Sequence, residues 1–312
     1  MKLYLHIGSH KAGSTSIQAF LEDNQAALTE RGYYVDDDLT FRDHWQLAAW
    51  AGYPDNADYF INTLQAFHDN ALKQFIDQFE VTLLQKLEDA KKDGRFHSMV
   101  ISSESLYSQC LNERAIARLA ATLTPHFSSV SVLFYFRDQV AMAKSVYAQL
   151  IHGPAMGKQS YPDFVDTVQA ESEFDYAYQL DTWAAYFGGD NIHIAEIGRK
   201  PGALKGEGLI HHFVSSLALS FSPDEFSIRG KASNRSSDYN NIRLIRRLNQ
   251  CCSNNFINLS YNSLWVRGWR WLIKRLPVKG HYPEHYDDQI AARFKTGNAR
   301  MKAKFGSGGQ SQ

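Results

Sequence analysis

Residues 6 to 16 read HIGSHKAGSTS. Two glycines, one lysine and a run of hydroxyls gather there, and those types together suit an anion. Gly8, Gly13, Ser14 and Thr15 fit the glycines and the hydroxyl end of the phosphate-cradling pattern G-x-x-x-x-G-K-[ST]. The lysine is displaced: Ser14 stands where that pattern has lysine, and the charge comes from Lys11 instead. A helix opening near Ser14 would offer unpaired backbone N–H groups and the positive end of its dipole. Gly13 would let the backbone approach an anion closely. Ser14, Thr15 and Ser16 would add donors, and Lys11 a full charge at the rim. The plain alternative is an ordinary strand-to-helix turn with a hydroxyl cap.

Two further stretches pair an apolar run with polar residues at its end. VISSE closes on Ser102, Ser103 and Glu104, and SVSVLFYFRD closes on Arg137 and Asp138. Ser145 follows Arg137 by eight residues, a little over two helical turns, so the two could flank one anion near a helix start. An arginine there can grip a phosphate through two parallel hydrogen bonds. The alternative for Arg137 is pairing with Asp138 or a neighbouring helix end, which leaves Ser145 without a role.

The elements that must position these groups are legible in the pattern. LYLHI (3 to 7) is a short buried strand that breaks at Gly8. Ile17, Phe20, Leu21 and Leu28 then recur at helical spacing, with Gly32 as the stop. Leu72, Phe75, Ile76, Phe79, Leu83 and Leu87 form a helical stripe ending near Gly94. HSMVISSES, SVSVLFYFRD and NIHIAEI (191 to 197) are three more strands. Helical patterns run through Ile116, Leu119 and Leu123 after the first of these, and through Val140, Ala143, Val146, Tyr147 and Leu150 after the second. After Leu204 the pattern is helical throughout. Strands alternating with helices predict a P-loop NTPase-like α/β sandwich, with a central parallel sheet flanked by helices and a helical C-terminal third. Ligands of such sheets bind beyond the carboxyl ends of the strands, so the three polar stretches are expected to converge there. No linker or repeat interrupts the pattern. Residues 1 to 305 read as one domain and 306 to 312, GSGGQSQ, as a flexible tail.

Composition narrows the function classes. The 312 residues are 44% hydrophobic, enough for a real core. The 33 basic and 33 acidic residues cancel, so nothing global suggests nucleic acid. The charge is uneven, however. From Arg229 onward there are 16 Lys and Arg against 4 Asp and Glu, a basic third suited to anions, to a membrane surface or simply to solvent. Cys110, Cys251 and Cys252 form neither a disulfide framework nor a zinc pattern. The N-terminal residues lack a signal pattern, and no run of about 18 apolar residues could span a bilayer. The expected location is cytoplasmic, peripheral at the inner membrane face if the basic third engages lipid.

HKAGSTS resembles the 5′-phosphosulfate loop of sulfotransferases that use 3′-phosphoadenylyl sulfate (PAPS), whose usual form is close to K-x-G-T-T. RDQVAMAKS resembles their 3′-phosphate motif, an arginine followed by a serine eight residues on. HIGxxKxGSTSIQ, SNRSS, the helix with LIRRLN and the ending FKTGNARMKAKF are similar to bacterial members, so the resemblance spans most of residues 1 to 305. Gln139 stands where the family often has proline. The resemblance implies that Lys11, Ala12, Gly13, Ser14, Thr15 and Ser16 hold the 5′-phosphosulfate, with Lys11 facing the bridging oxygen. Arg137 and Ser145 would hold the ribose 3′-phosphate. Glu104 would be the catalytic base, with His44 and His152 in reserve. Arg229, Lys231 and Arg235, with Asn234 and Ser236, would belong to a lid over the nucleotide. The activity implied is sulfuryl transfer from PAPS to an acceptor hydroxyl, of a carbohydrate or glycolipid, releasing 3′,5′-ADP and requiring no metal. A P-loop kinase and a non-catalytic nucleotide-binding protein on the same fold are the rival readings. His10 would shape the loop, His6 would pack in the core, and Asp175 and Tyr176 would line the acceptor cleft.

One motif stands apart from that chemistry. In SLWVRGWRWLIKRLP (263 to 277), Trp265, Trp269, Leu272 and Leu276 fall on one helical face and Arg267, Arg270 and Lys274 on another. The pattern fits an ordinary core-packed helix with solvated arginines and buried tryptophans. That is the expected arrangement; the alternative is a helix lying on an anionic membrane with its tryptophans exposed.

Overall fold

The computed structural model describes residues 1–36, 45–57, 69–153, 156–198, 200–220, 222, 225–228, 238–251, 263–273, 275–276 and 280–306. They gather into two compact units, neither a continuous stretch of chain. The first comprises 1–138, 175–231 and 297–312, the second 139–174 and 232–296.

The first unit holds a five-stranded sheet. β1 (Lys2–His6), β2 (Tyr33–Val35), β3 (Ser98–Ser102), β4 (Ser129–Phe136) and β5 (Ile192–Glu196) pair in the order β2-β3-β1-β4-β5. Every pairing is parallel. β1, followed by the glycine-bearing turn, lies in the middle. The sheet is α/β with helices against it, as the alternating pattern requires. Both faces of the central strands are covered, which is why LYL, MVI and VLFYF read as unbroken apolar runs, whereas the edge strand β5, IHIAE, alternates and is mostly half-buried.

Side chains on one face, Tyr4, Val100, Leu133 and Tyr135, join a core with Ile17, Phe20 and Leu21 of α1 (Ser14–Asp23). Leu209, Ile210, Phe213 and Val214 of α10 (Glu207–Ser216) complete that core. On the other face the Phe134 ring meets Tyr107 of α5 (Glu104–Gln109) at 5.0 Å and Tyr176 of α9 (Tyr176–Phe187) at 5.5 Å. Among the described residues this unit also has the α-helices α2 (Gln25–Glu30), α3 (Gln46–Gly52), α4 (Asp69–Lys92) and α6 (Glu113–Leu123). In α4 the expected stripe is buried at Leu72, Ile76, Phe79, Leu83 and Leu87 and half-buried at Phe75.

The structure differs from the sequence expectation in several elements: α3, α5 and α9 were not anticipated, one expected helix is broken and one strand is added. The helix expected to run from Ser14 to Gly32 is two helices, interrupted at Asn24. The Asn24 amide donates to the carbonyls of Phe20 at 2.7 Å and Ser227 at 2.9 Å, and its oxygen accepts from the Ser227 N–H at 2.7 Å. The side chain shares the Phe20 carbonyl with its own backbone N–H, at 3.1 Å, and ties to Ser227 a residue that has left helical geometry, with φ of −115° and ψ of 16°. β2 was not anticipated: three residues, Tyr-Tyr-Val, are too few to show a period.

The second unit is helical. It contains α7 (Gln139–His152), α8 (Tyr161–Ala170), α11 (Tyr239–Gln250), α12 (Leu264–Ile273) and the start of α13 (Glu284–Phe305), which runs on into the residues of the first unit. Its centre is a cluster of aromatic rings. Tyr161 lies 5.1 Å from Tyr147 and 4.6 Å from Tyr282, which lies 4.4 Å from Tyr239. After β5 the described elements are helices, so the C-terminal third is helical as expected.

Candidate functional site

The parallel arrangement brings three segments to one edge of the sheet. His6 pairs with Ser102 on one side and Leu133 on the other. Beyond the strand, Ile7 N–H donates to the Leu133 carbonyl at 3.0 Å and Ser9 N–H to that of Tyr135 at 2.9 Å. Ser103 N–H donates to the His6 carbonyl at 3.0 Å. The loop from Gly8, the turn at Ser103 and Glu104, and Arg137 after β4 therefore leave the same carboxyl edge.

The loop closes tightly. Ala12 N–H donates to the Ser9 carbonyl at 3.1 Å, and the Gly13 carbonyl accepts from Ser16 N–H at 2.9 Å and Ile17 N–H at 3.2 Å. Gly13 is the N-cap of α1 with φ of 83°, where a Cβ would sit 2.4 Å from Leu209 Cδ2. Only glycine takes both the left-handed backbone and that contact without strain. Lys11 also has positive φ, 59°, and its side chain is exposed. No side chain caps α1, and the N–H groups of Ser14 and Thr15 meet no backbone acceptor among the described residues. The anion-facing capacity of this helix end is thus unspent.

Under the loop lie buried polar groups without partners. The hydroxyls of Ser9 and Ser14 and the Nε2 of His6 are all buried and make no hydrogen bond among the described residues. The last two crowd Gly8: a Cβ there would lie 2.8 Å from His6 Nε2 and 3.3 Å from Ser14 Oγ. Buried polar groups are nearly always bonded, so such a group points to a missing partner or ligand. His6 is otherwise a core residue, as expected. Its Nδ1 shares a hydrogen bond with Ser102 Oγ at 2.7 Å, and Tyr135 and Phe213 meet its ring edge to face. Burial pushes its pKa down to about 3, so at neutral pH it carries no charge. The positive potential at the loop comes from Lys11 and the helix end.

Lys11, Glu104 and Arg137 form no ion pair among the described residues. Arg137 is half-buried, with Nε shut away from solvent and unpartnered. Its carbonyl accepts from Tyr176 Oη at 2.8 Å, which holds the end of β4 against α9. Asp138 instead faces Lys200 at 3.8 Å. Glu104 opens α5, half-exposed, in the first turn after Ser103. Thr15 is exposed, Ser16 half-buried and Ala12 buried. Ser145 and His152 belong to the second unit. His44, Arg229, Lys231, Asn234, Arg235 and Ser236 lie outside the described residues.

Asp175 and Tyr176, expected beside the acceptor, have structural partners. Asp175 caps α9 by accepting from Tyr178 N–H at 3.1 Å, and the Tyr176 ring is fully buried among Tyr107, Phe134 and Phe136. Sequence reasoning missed Ser9 and the His6–Ser102 pair. Ser9 sits in the quoted motif at a position the pattern leaves free, and nothing in the chain order signals a bond across 96 residues. Among the described residues no group of three or more His, Cys, Asp or Glu side chains could hold a metal ion.

No family model and no curated protein matches the chain. Among solved structures, a sulfotransferase from Alicyclobacillus acidocaldarius is similar at 12% identity, over 96% of this chain and 94% of that one, with a TM-score of 0.46. A likeness at that level carries no argument about activity.

Proposed function

We propose that the protein is a sulfotransferase that moves the sulfuryl group from PAPS to an acceptor hydroxyl of a carbohydrate or glycolipid. One observation carries the reading. Around the uncapped start of α1, at the middle of the sheet's carboxyl edge, two buried serine hydroxyls lack partners and Lys11 forms no ion pair among the described residues. That set fits a doubly charged terminal group. The lysine's place in the motif argues for phosphosulfate over a nucleoside triphosphate, because Lys11 precedes the glycine instead of following it.

In this reading Ala12 to Ser16 cradle the 5′-phosphosulfate. The acceptor oxygen bonds to sulfur as the bond from sulfur to the bridging oxygen breaks, and the electron pair leaves on the 5′-phosphate of 3′,5′-ADP. Charge grows on that oxygen, and the Lys11 ammonium stabilises it more in the transition state than in the ground state. Glu104 takes the acceptor's proton. Arg137 grips the ribose 3′-phosphate and so selects PAPS over ATP.

The test is release of 3′,5′-ADP from PAPS with cell-envelope fractions as acceptors. Lys11→Ala should abolish transfer while the circular dichroism and melting temperature stay as in the wild type. Arg137→Ala should raise the PAPS dissociation constant about 10- to 150-fold, the loss of a charged hydrogen bond of roughly 1.5–3 kcal/mol. Normal turnover in Lys11→Ala overturns the assignment, as does Mg²⁺-dependent phosphate transfer from ATP.

A further inference from the structure

α12 turns its apolar face outward. Trp265, Trp269 and Trp271 are 59%, 46% and 57% exposed, and Leu264, Leu272 and, just past the helix, Leu276 are exposed with them. At 100° per residue the exposed apolar side chains of the helix spread over an arc of about 160°. Its inward seam is narrow: Val266, Ile273 and Arg270. Arg270, expected in solvent, is buried. It donates to the carbonyls of His152 at 2.9 Å and Ile151 at 3.4 Å and to Asn249 Oδ1 at 2.8 Å. Asn249 in turn donates to the carbonyls of Ile151 at 2.9 Å and Gly157 at 3.0 Å. Polar anchoring of this kind fixes the helix while leaving its tryptophans free.

Charge selects the occupant. Between Asp238 and Glu284 the chain has eight lysines and arginines and no acidic residue. Arg267 is exposed on the helix, and the Arg275 guanidinium stacks on Trp271 at 3.7 Å. Tryptophan is at home where an apolar ring meets a wet headgroup layer, and a basic rim favours anionic lipid. Ten residues make a helix of about 15 Å, too short to span a bilayer. It would lie in the plane of the surface. We infer that α12 is a membrane-docking helix that seats the protein on an anionic lipid surface through Trp265, Trp269 and Trp271.

Sedimentation with vesicles tests this, using the full chain. Wild-type protein should pellet with vesicles containing phosphatidylglycerol at low salt. It should release at high salt and bind pure phosphatidylcholine at least about tenfold more weakly. Tryptophan emission should shift to the blue on binding. Replacing all three tryptophans by serine should lower the vesicle partition by more than about a hundredfold. The melting temperature should hold, because the rings are already exposed. Lys11→Ala should bind vesicles like the wild type, which separates this result from failure of the proposed enzymatic activity. Absence of wild-type binding at low salt overturns the inference, as does undiminished binding of the triple variant. So does a dimer, lost in the triple variant, that forms without any vesicle binding.

Discussion

His6 should make the stability of the fold depend on pH in a defined window. The ring is buried under the loop, and its folded-state pKa of about 3 lies well below the ordinary value of about 6.5 that it regains on unfolding. The folded protein therefore keeps His6 neutral where the unfolded chain takes up a proton. The stability that burial of neutral His6 contributes is complete above about pH 6.5. It falls by about 1.4 kcal/mol for each pH unit below that, until the folded state also protonates near pH 3. Between pH 7.5 and pH 5.5 the expected loss is about 1.4 kcal/mol from this residue alone. His193 and His212, whose pKa values are also lowered by burial, push in the same direction. Their share cancels when wild type is compared with His6→Asn, a variant whose amide can still reach Ser102. Urea unfolding at both pH values gives four free energies, and the pH-dependent loss should be smaller in the variant by about 1.4 kcal/mol. The static cost of the substitution drops out of that double difference. Equal pH dependence in the two proteins would mean that folded His6 protonates near its ordinary pKa. Both the buried site and the neutral ring beneath the loop would then be wrong.

Gly13→Ala should destabilise the protein by about 2–4 kcal/mol, from the left-handed backbone and the collision with Leu209. Adding Leu209→Ala should recover the collision part as a favourable coupling of about 1 kcal/mol or more in a double-mutant cycle. Arg270→Met should cost about 2–4 kcal/mol in urea unfolding, because the carbonyls of Ile151 and His152 and the Asn249 oxygen lose their buried donor. Cys110, buried with its thiol pKa raised, should resist alkylation until the chain unfolds, whereas exposed Cys251 should react in the native protein, as peptide mapping would read directly.

The parts of this molecule that sequence reasoning reached share one property: they follow from local pattern plus parallel geometry. Three of the four legible strands are the unbroken apolar runs that a sheet covered on both faces needs, LYL, MVI and VLFYF, and the fourth, IHIAE at the edge, shows as an alternation. Once those strands are parallel, Gly8, Glu104 and Arg137 must leave the same edge, however the helices pack. The parts that escaped depend on partners far along the chain. Asn24 breaks a helix that its neighbours' periodicity would continue, because it is anchored to Ser227, 203 residues away. His6 is tied to Ser102 by a bond that no spacing records. α12 shows the deeper reason. An amphipathic helix has two distinguishable faces, but its period is the same whether the apolar face meets a core or a membrane. The deciding group is Arg270, which reads as a surface cation and instead donates to two carbonyls and an asparagine at the end of α7 and on α11. A buried guanidinium with that many acceptors fixes the helix by its polar side, and the tryptophans are then left for something outside the protein. The sense of an amphipathic helix is therefore set by whichever polar residue finds buried acceptors, a fact of tertiary structure that the hydrophobic pattern alone does not contain.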